Sequence, residues 1–166
     1  MRRVALVSDT HIPSRASELP AFVEQELEDA DVVVHAGDFD SADAYDRVAS
    51  LADGEFVAVR GNMDPRDLGL PPVETLWVGD RQFVVVHGTG SLDGYEQRVL
   101  ETVREERDDP DAVGVSGHTH AVRDEVVDGV RLLNPGSATG ASPADEATMM
   151  TVDVADGDVE VAVVRE

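Results

Sequence analysis

The chain has 166 residues, 42% of them hydrophobic, with no cysteine, 35 acidic residues against 13 basic ones and a net charge of −22. The missing cysteines exclude a disulfide framework and thiolate metal sites. No apolar run is long enough to cross a bilayer, and the acidity argues against nucleic-acid binding through a basic face. Every basic residue is arginine, and the acidic residues are spread along the chain. That surface resembles the proteins of salt-loving microbes. At molar salt the Debye length is only ~3 Å, so self-repulsion is screened and stability is expected to rise with salt. No signal-peptide pattern follows Met1, so a cytoplasmic location is expected.

Val4 to Val7 is a continuous apolar run, the pattern of a strand buried on both faces, and it ends in Ser8-Asp9-Thr10-His11. A helix is expected after Pro20, with Phe22, Val23 and Leu27 as its buried stripe. Val32 to Val34 predicts a second strand, ending in His35-Ala36-Gly37-Asp38. Ala42 to Leu51 reads as a helix. Phe56 to Val59 predicts a third strand, ending in Arg60-Gly61-Asn62-Met63-Asp64, and a loop runs from Pro65 to Pro72.

Val73 to Val78 and Gln82 to Val86 flank Gly79-Asp80, a hairpin turn signal. His87-Gly88 follows. Leu92 to Glu106 predicts a helix, with Tyr95, Val99 and Val103 at helical spacing. Ala112 to Val115 predicts a strand running into Gly117-His118-Thr119-His120. Beyond Ala121 the chain reads as short antiparallel strands, at 126–127, 130–133, 148–154 and 159–164, with Asp128-Gly129 and Asp156-Gly157 as turns. The expectation is one α/β domain over residues 1–166, βαβαβ first and strand-rich second.

All five histidines lie in polar clusters at strand ends: Asp9/His11, His35/Asp38, Asn62/Asp64, His87 and His118/His120. In open α/β sheets ligands bind beyond the carboxyl ends of the strands. Each cluster alone can be read as a turn or a helix-entry loop. One carboxylate-plus-imidazole centre accounts for all five together. Asp9, Asp38, Asn62 and the histidines His11, His87, His118 and His120 offer mixed oxygen and nitrogen donors. That set suits two Mn²⁺, Fe²⁺, Zn²⁺ or Ni²⁺ ions better than Ca²⁺ or Mg²⁺. A carboxylate bridging two ions holds them ~3.5–4 Å apart, the spacing of hydrolytic two-metal sites.

The ordered blocks Asp9-Thr10-His11, Gly37-Asp38, Gly61-Asn62-Met63-Asp64, His87-Gly88 and Gly117-His118-Thr119-His120 resemble the calcineurin-like metallophosphoesterase superfamily. Arg60-Gly61-Asn62 and Asn134-Pro135-Gly136-Ser137 are similar to its compact YfcE-type phosphodiesterase branch. The resemblance implies a four-layer α/β/β/α sandwich with two divalent metal ions at its edge, manganese foremost. It implies Asp9, His11 and His120 on the first ion, Asn62, His87 and His118 on the second, and Asp38 bridging. It further implies hydrolysis of a small phosphodiester by a bridging hydroxide, with Asp38, Asn62, His87 and His118 around the reacting phosphorus. His35 is read either as orienting a ligand or as a core histidine. Asn134 to Ser137 reads as a buttressing turn or a substrate contact, and Arg60 as a phosphate contact or one half of an ion pair.

Two positions depart from the family pattern. Met63 stands where larger relatives carry a histidine after the Gly-Asn pair, and Thr89 where many read a second histidine after His87-Gly88. Neither can act as an imidazole acid, which leaves Asp64 or water for the leaving group. The retromer subunit of this fold is similar too, around Asp9 to Pro13 and Asn134 to Gly140. It implies an alternative role as a protein-interaction scaffold. A phosphomonoesterase or nuclease is a further alternative, and a homo-oligomer is open.

Overall fold

A computed structural model describes residues 1–166. The first half is the expected βαβαβ: β1 (Arg2–Val7), α1 (Ala21–Asp29), β2 (Val32–His35), α2 (Ala42–Leu51) and β3 (Glu55–Ala58). β1 pairs in parallel with β2, and β2 with β3. Residues alternate between faces along each strand. Val4, Leu6, Val32 and Val34 point to one side, Ala5, Val7 and Val33 to the other. The second set packs on Val23 and Leu27 of α1 and on Val48 and Leu51 of α2. Phe22, expected in the α1 stripe, is only half-buried. Ser41 caps α2 by accepting from the Ala44 N–H at 3.1 Å, a bond of the kind worth about 1 kcal/mol.

The second half supplies β4 (Val73–Val78), β5 (Arg81–Val86), α3 (Tyr95–Glu106), β6 (Val113–Val115), β7 (Val122–Val127), β8 (Val130–Pro135), β9 (Thr148–Ala155) and β10 (Asp158–Arg165). The two sheets run β10-β9-β1-β2-β3 and β4-β5-β6-β8-β7. Their facing sides share one apolar layer that includes Phe83, Val85, Val115, Met150 and Val152. On the outside of the second sheet Val84 and Leu132 pack on Val99, Leu100 and Val103 of α3. Three apolar layers between four structural layers give the α/β/β/α sandwich, and no helix is long and apolar enough to cross a membrane.

The chain differs from the sequence reading in places. α3 begins at Tyr95, not Leu92, because Gly94 at its N-cap takes a left-handed φ of 78°. The 65–72 loop contains a 3₁₀ turn at Arg66–Leu68. The terminal strands are not all short and antiparallel. β7 begins at Val122, β8 lies parallel to β6, and β9 and β10 run eight residues each. β9 leaves the second sheet and pairs with β1 in the first. Period-two patterning fixes which side of a strand is buried, not which strand it joins.

This topology gathers the clusters. β1, β2 and β3 are parallel, and so are β5, β6 and β8. The carboxyl ends of all six meet at one end of the stacked sheets. Backbone bonds stitch the loops together there: Asp9 N–H to Gly37 O at 2.9 Å and Gly117 N–H to His87 O at 3.2 Å.

Candidate metal centre

The strand-end loops bring the seven expected donors to one place, in two groups. Asp9, His11 and His120 form one triad; Asp38, His87 and His118 form another. Within each triad the ligand-type atoms lie within 4.8 Å of one another. Asn62 joins the second, its Oδ1 at 3.1 Å from His87 Nε2. The neighbours His118 and His120 go to different triads. Both backbones are left-handed, at φ 74° and 61°, and that turn separates the two rings.

Six of the eight non-glycine residues with positive φ lie here: Asp9, His11, Asp38, Asp40, His118 and His120. The other two, Asp128 and Asp156, sit in two-residue hairpin turns, where positive φ is ordinary. Each left-handed non-glycine residue costs on the order of 1–3 kcal/mol, and such strain collects at functional sites. Glycine permits the close approach of the loops. A Cβ on Gly61 would overlap the Asp38 carboxylate, and one on Gly117 would lie 2.8 Å from Asp9 Oδ2.

The hydrogen bonds aim the donors. His11 Nδ1 is bonded to Asp40 Oδ1 at 2.8 Å, His87 Nδ1 to Ala36 O at 2.7 Å and His120 Nδ1 to Ala141 O at 2.8 Å. Those acceptors place the proton on Nδ1 and leave the three Nε2 lone pairs facing inward. His118 is the reverse: its Nε2 bonds to Gly90 O at 2.8 Å, leaving Nδ1 free.

The carboxylates are fixed the same way. Asp9 Oδ2 accepts from Ser8 Oγ and the His118 N–H, at 2.8 and 3.0 Å. Asp38 Oδ1 accepts from the Met63 N–H at 2.8 Å. The other oxygen of each faces the imidazoles. Asp38 Oδ2 lies 3.1 Å from His87 Nε2 and 3.5 Å from His11 Nε2, between the triads. Asp9 Oδ1 lies 3.4 Å from His120 Nε2 and 3.8 Å from His11 Nε2.

Two features fit this donor set to cations. Asp9 Oδ1 is buried without a hydrogen-bond partner, a costly state for a carboxylate oxygen. His11 Nε2 and His120 Nε2 are 3.2 Å apart. With both Nδ1 atoms protonated, two lone pairs face each other, and only a positive charge between them makes that favourable. Burial works against the Asp9 and Asp38 charges, yet the facing imidazoles, His11 and His120 toward Asp9 and His87 toward Asp38, hold both carboxyls below their usual range. Burial likewise opposes charge on His87, but its bond to Asp38 and the charges of Asp9 and Asp38 push it up to about 8.

The surrounding residues have clearer roles than their sequence pattern gives them. Asp64 is not available as an acid. It is buried, and its carboxylate accepts the backbone N–H groups of Asp38, Phe39, Asp40 and Gly61 at 2.7 to 3.1 Å. Its work is to shape the loop that carries Asp38. His35 forms no hydrogen bond to a ligand side chain: it accepts from Gly37 N–H at 3.0 Å, meets Thr10 Oγ1 at 3.3 Å and stacks on Phe39. Burial holds it neutral, pushing its pKa down to about 3.

Asn134 is a buttress, donating to Gly117 O and Thr119 Oγ1 at 3.0 and 3.1 Å. Ser137 does the same through Asp9 O at 2.7 Å. Arg60 forms no ion pair; it lines a cleft beside His87. Met63 is 45% exposed at the rim. Asp40, which holds His11, is the functional-site residue the sequence reading missed. Nothing in its local pattern sets it apart from other loop aspartates.

Comparison with known proteins agrees with this geometry. The pattern of the Calcineurin-like phosphoesterase superfamily domain matches residues 2–157. A probable metallophosphoesterase of Methanocaldococcus jannaschii is 36% identical over 136 residues, 82% of this chain and 68% of that protein. A probable metallophosphoesterase of Methanothermobacter thermautotrophicus is 34% identical over 149 residues, 89% of this chain and 83% of that protein. Among solved structures, a single mutant of Vps29 from Entamoeba histolytica superposes with a TM-score of 0.78 at 26% identity, covering 99% of each chain. The chain therefore belongs to the calcineurin-like phosphoesterase superfamily.

Proposed function

We propose that this chain is a phosphodiesterase that works with two divalent transition-metal ions. One observation carries the reading. Three buried imidazoles have Nδ1 tied away and Nε2 turned toward the free oxygens of Asp9 and Asp38. Asp9, His11 and His120 would hold the first ion, and Asn62, His87 and His118 the second. Asp38, whose Oδ2 lies between the triads while Oδ1 is held by Met63 N–H, would serve both. Mixed oxygen and imidazole donors suit manganese, iron, zinc or nickel.

Bound there, such ions supply Lewis-acid polarisation of a phosphoryl group and a lowered pKa for water. The chain's own residues supply orientation. Asp40, Ala36 O and Ala141 O fix the ring tautomers, and Ser8 and Met63 N–H fix the carboxylates. Met63 has no proton to give, and Asp64 is committed to backbone, which leaves water to protonate a departing alkoxide. Substrates with good leaving groups are therefore favoured.

The test is metal analysis after reconstitution with Mn²⁺, with hydrolysis of bis(4-nitrophenyl) phosphate before and after chelation. Two ions per chain and chelator-sensitive turnover are expected. The likeness to Vps29 favours a second reading, a protein-interaction scaffold. Trace metal and no turnover would decide for it.

A further inference from the structure

A cleft of about 230 Å³ opens beside the centre, walled by Arg60, His87, Gly88, Thr89, Arg98 and Thr102 among others. No carboxylate lines it, although 35 of the 166 residues are acidic. Six arginines elsewhere are paired with carboxylates: Arg3, Arg47, Arg104, Arg123, Arg131 and Arg165. Arg60 and Arg98 are among the seven of the 13 that are not, and they are the two that meet in one cleft.

Arg98 donates only to backbone carbonyls, those of Gly88 and Ser91 at 3.0 and 2.7 Å and Asp93 at 3.4 Å, and its Nε is buried without an acceptor. Carbonyl dipoles hold the guanidinium in place without cancelling its charge. The Arg60 side chain makes no hydrogen bond. In a chain of net charge −22, two cations without a carboxylate partner and two threonines share the wall of one cleft.

The cleft is beside the reacting centre and does not contain it. Of the seven candidate ligands only His87 lines it. Both ring nitrogens of His87 are already directed, to Ala36 O and toward Asp38 and Asn62. A group in the cleft therefore meets the flank of that ring while the scissile phosphate occupies the centre. Guanidinium and hydroxyl donors in a lining that holds no carboxylate match a phosphate group.

We propose that this cleft binds a second phosphate of the substrate, so that the preferred substrates are phosphodiesters carrying a further phosphate group. The assignment rests on the phosphodiesterase reading for its substrate, but its binding step is measured separately. Calorimetry on the Mn²⁺-loaded protein compares thymidine 5′-monophosphate with thymidine 3′,5′-bisphosphate. The bisphosphate is expected to bind at least about tenfold tighter, the scale of a charge-assisted contact. Arg60→Gln should bring the ratio close to one, and Arg60→Lys should restore most of it. Arg98→Gln should also lower the ratio.

Equal affinities in the wild type, or a ratio unmoved by both glutamine variants, would overturn the proposal. Hydrolysis of the 4-nitrophenyl esters of the same two nucleotides then tests the reaction. A preference in kcat/KM for the 3′-phosphorylated ester that disappears in Arg60→Gln supports the substrate assignment. A binding ratio without turnover of either ester would overturn the phosphodiesterase reading and leave the anion cleft standing.

Discussion

The two triads share a fold and a chemistry but not an environment. Asp9, His11 and His120 are 0%, 1% and 7% exposed, and each is held by a bond behind it. In the other group His87 is buried, His118 is half-buried and Asn62 is exposed. His118 meets its support, Gly90 O, from the opposite ring nitrogen, and that carbonyl belongs to an exposed loop. The first triad is preorganised and buried; the second opens to solvent. Preorganisation lowers the ordering cost of binding, so the first triad should fill first and hold its ion more tightly. An open coordination position is what a reacting site needs.

Asp38 joins the two halves, and its loss should have the largest effect. Asp38→Asn keeps the size and the Met63 N–H contact but removes the charge between the triads. It can also place an amide N–H₂ where Oδ2 faces His87 and His11. Hydrolysis of bis(4-nitrophenyl) phosphate should fall by several orders of magnitude, and at least one ion should be lost. The melting transition should stay cooperative, since the sheet registers do not use this side chain. Two bound ions and near wild-type turnover would end the bridging assignment.

His118→Ala tests the asymmetry directly. It removes a donor from the open triad and nothing from the closed one. Metal analysis should give one ion per chain, retained through dialysis, with turnover strongly reduced. Loss of both ions together would show the triads to be one coupled unit.

Much of this was legible in the sequence. Helices α1 and α2, the βαβαβ half and the hairpin turns follow from period and turn chemistry, and the clusters stood out because every histidine ends a strand. The long-range choices were not legible. β9 could have joined either sheet, because its alternation of Met150, Val152 and Val154 is satisfied by any apolar face. Asp40 and Asp64 look alike along the chain, yet one holds a ring and the other holds four backbone N–H groups. The left-handed backbone at Asp9, His11 and His118 follows no residue preference as strong as glycine's; it is imposed by packing of six loops at one edge. Nothing in the sequence sets Arg98 apart from the other arginines, and only the fold sets it in a cleft with Arg60.

Asp40→Asn probes the closed triad from behind. It keeps an acceptor for His11 Nδ1 but weakens the carboxylate–imidazole pair. Outer-shell changes of this type cost roughly 10–100-fold in metal affinity. The expectation is a loss in that range for the more tightly held ion, read by competition with a chelating dye, and little change at the weaker site. An equal loss at both sites would argue that His11 is shared between the ions.

Proton competition gives the smallest effect and a pH window for it. In the metal-free chain His87 keeps its second proton up to about pH 8, whereas a ligand imidazole must give that proton up. Binding at the open triad therefore releases a proton below this pH and none well above it. Between pH 7 and pH 9 the affinity there should rise roughly tenfold and then level off. Stability runs the other way in the metal-free chain. A histidine whose pKa rises from 6.5 to about 8 on folding contributes stability that is fully present below pH 6.5 and is lost as the pH climbs through 8. Metal replaces the proton as the positive charge beside Asp38, so the loaded protein should not show that loss. Melting curves from pH 6 to pH 9, with Mn²⁺ and with chelator, should diverge most at the alkaline end. Parallel curves would mean that His87 does not exchange a proton for an ion.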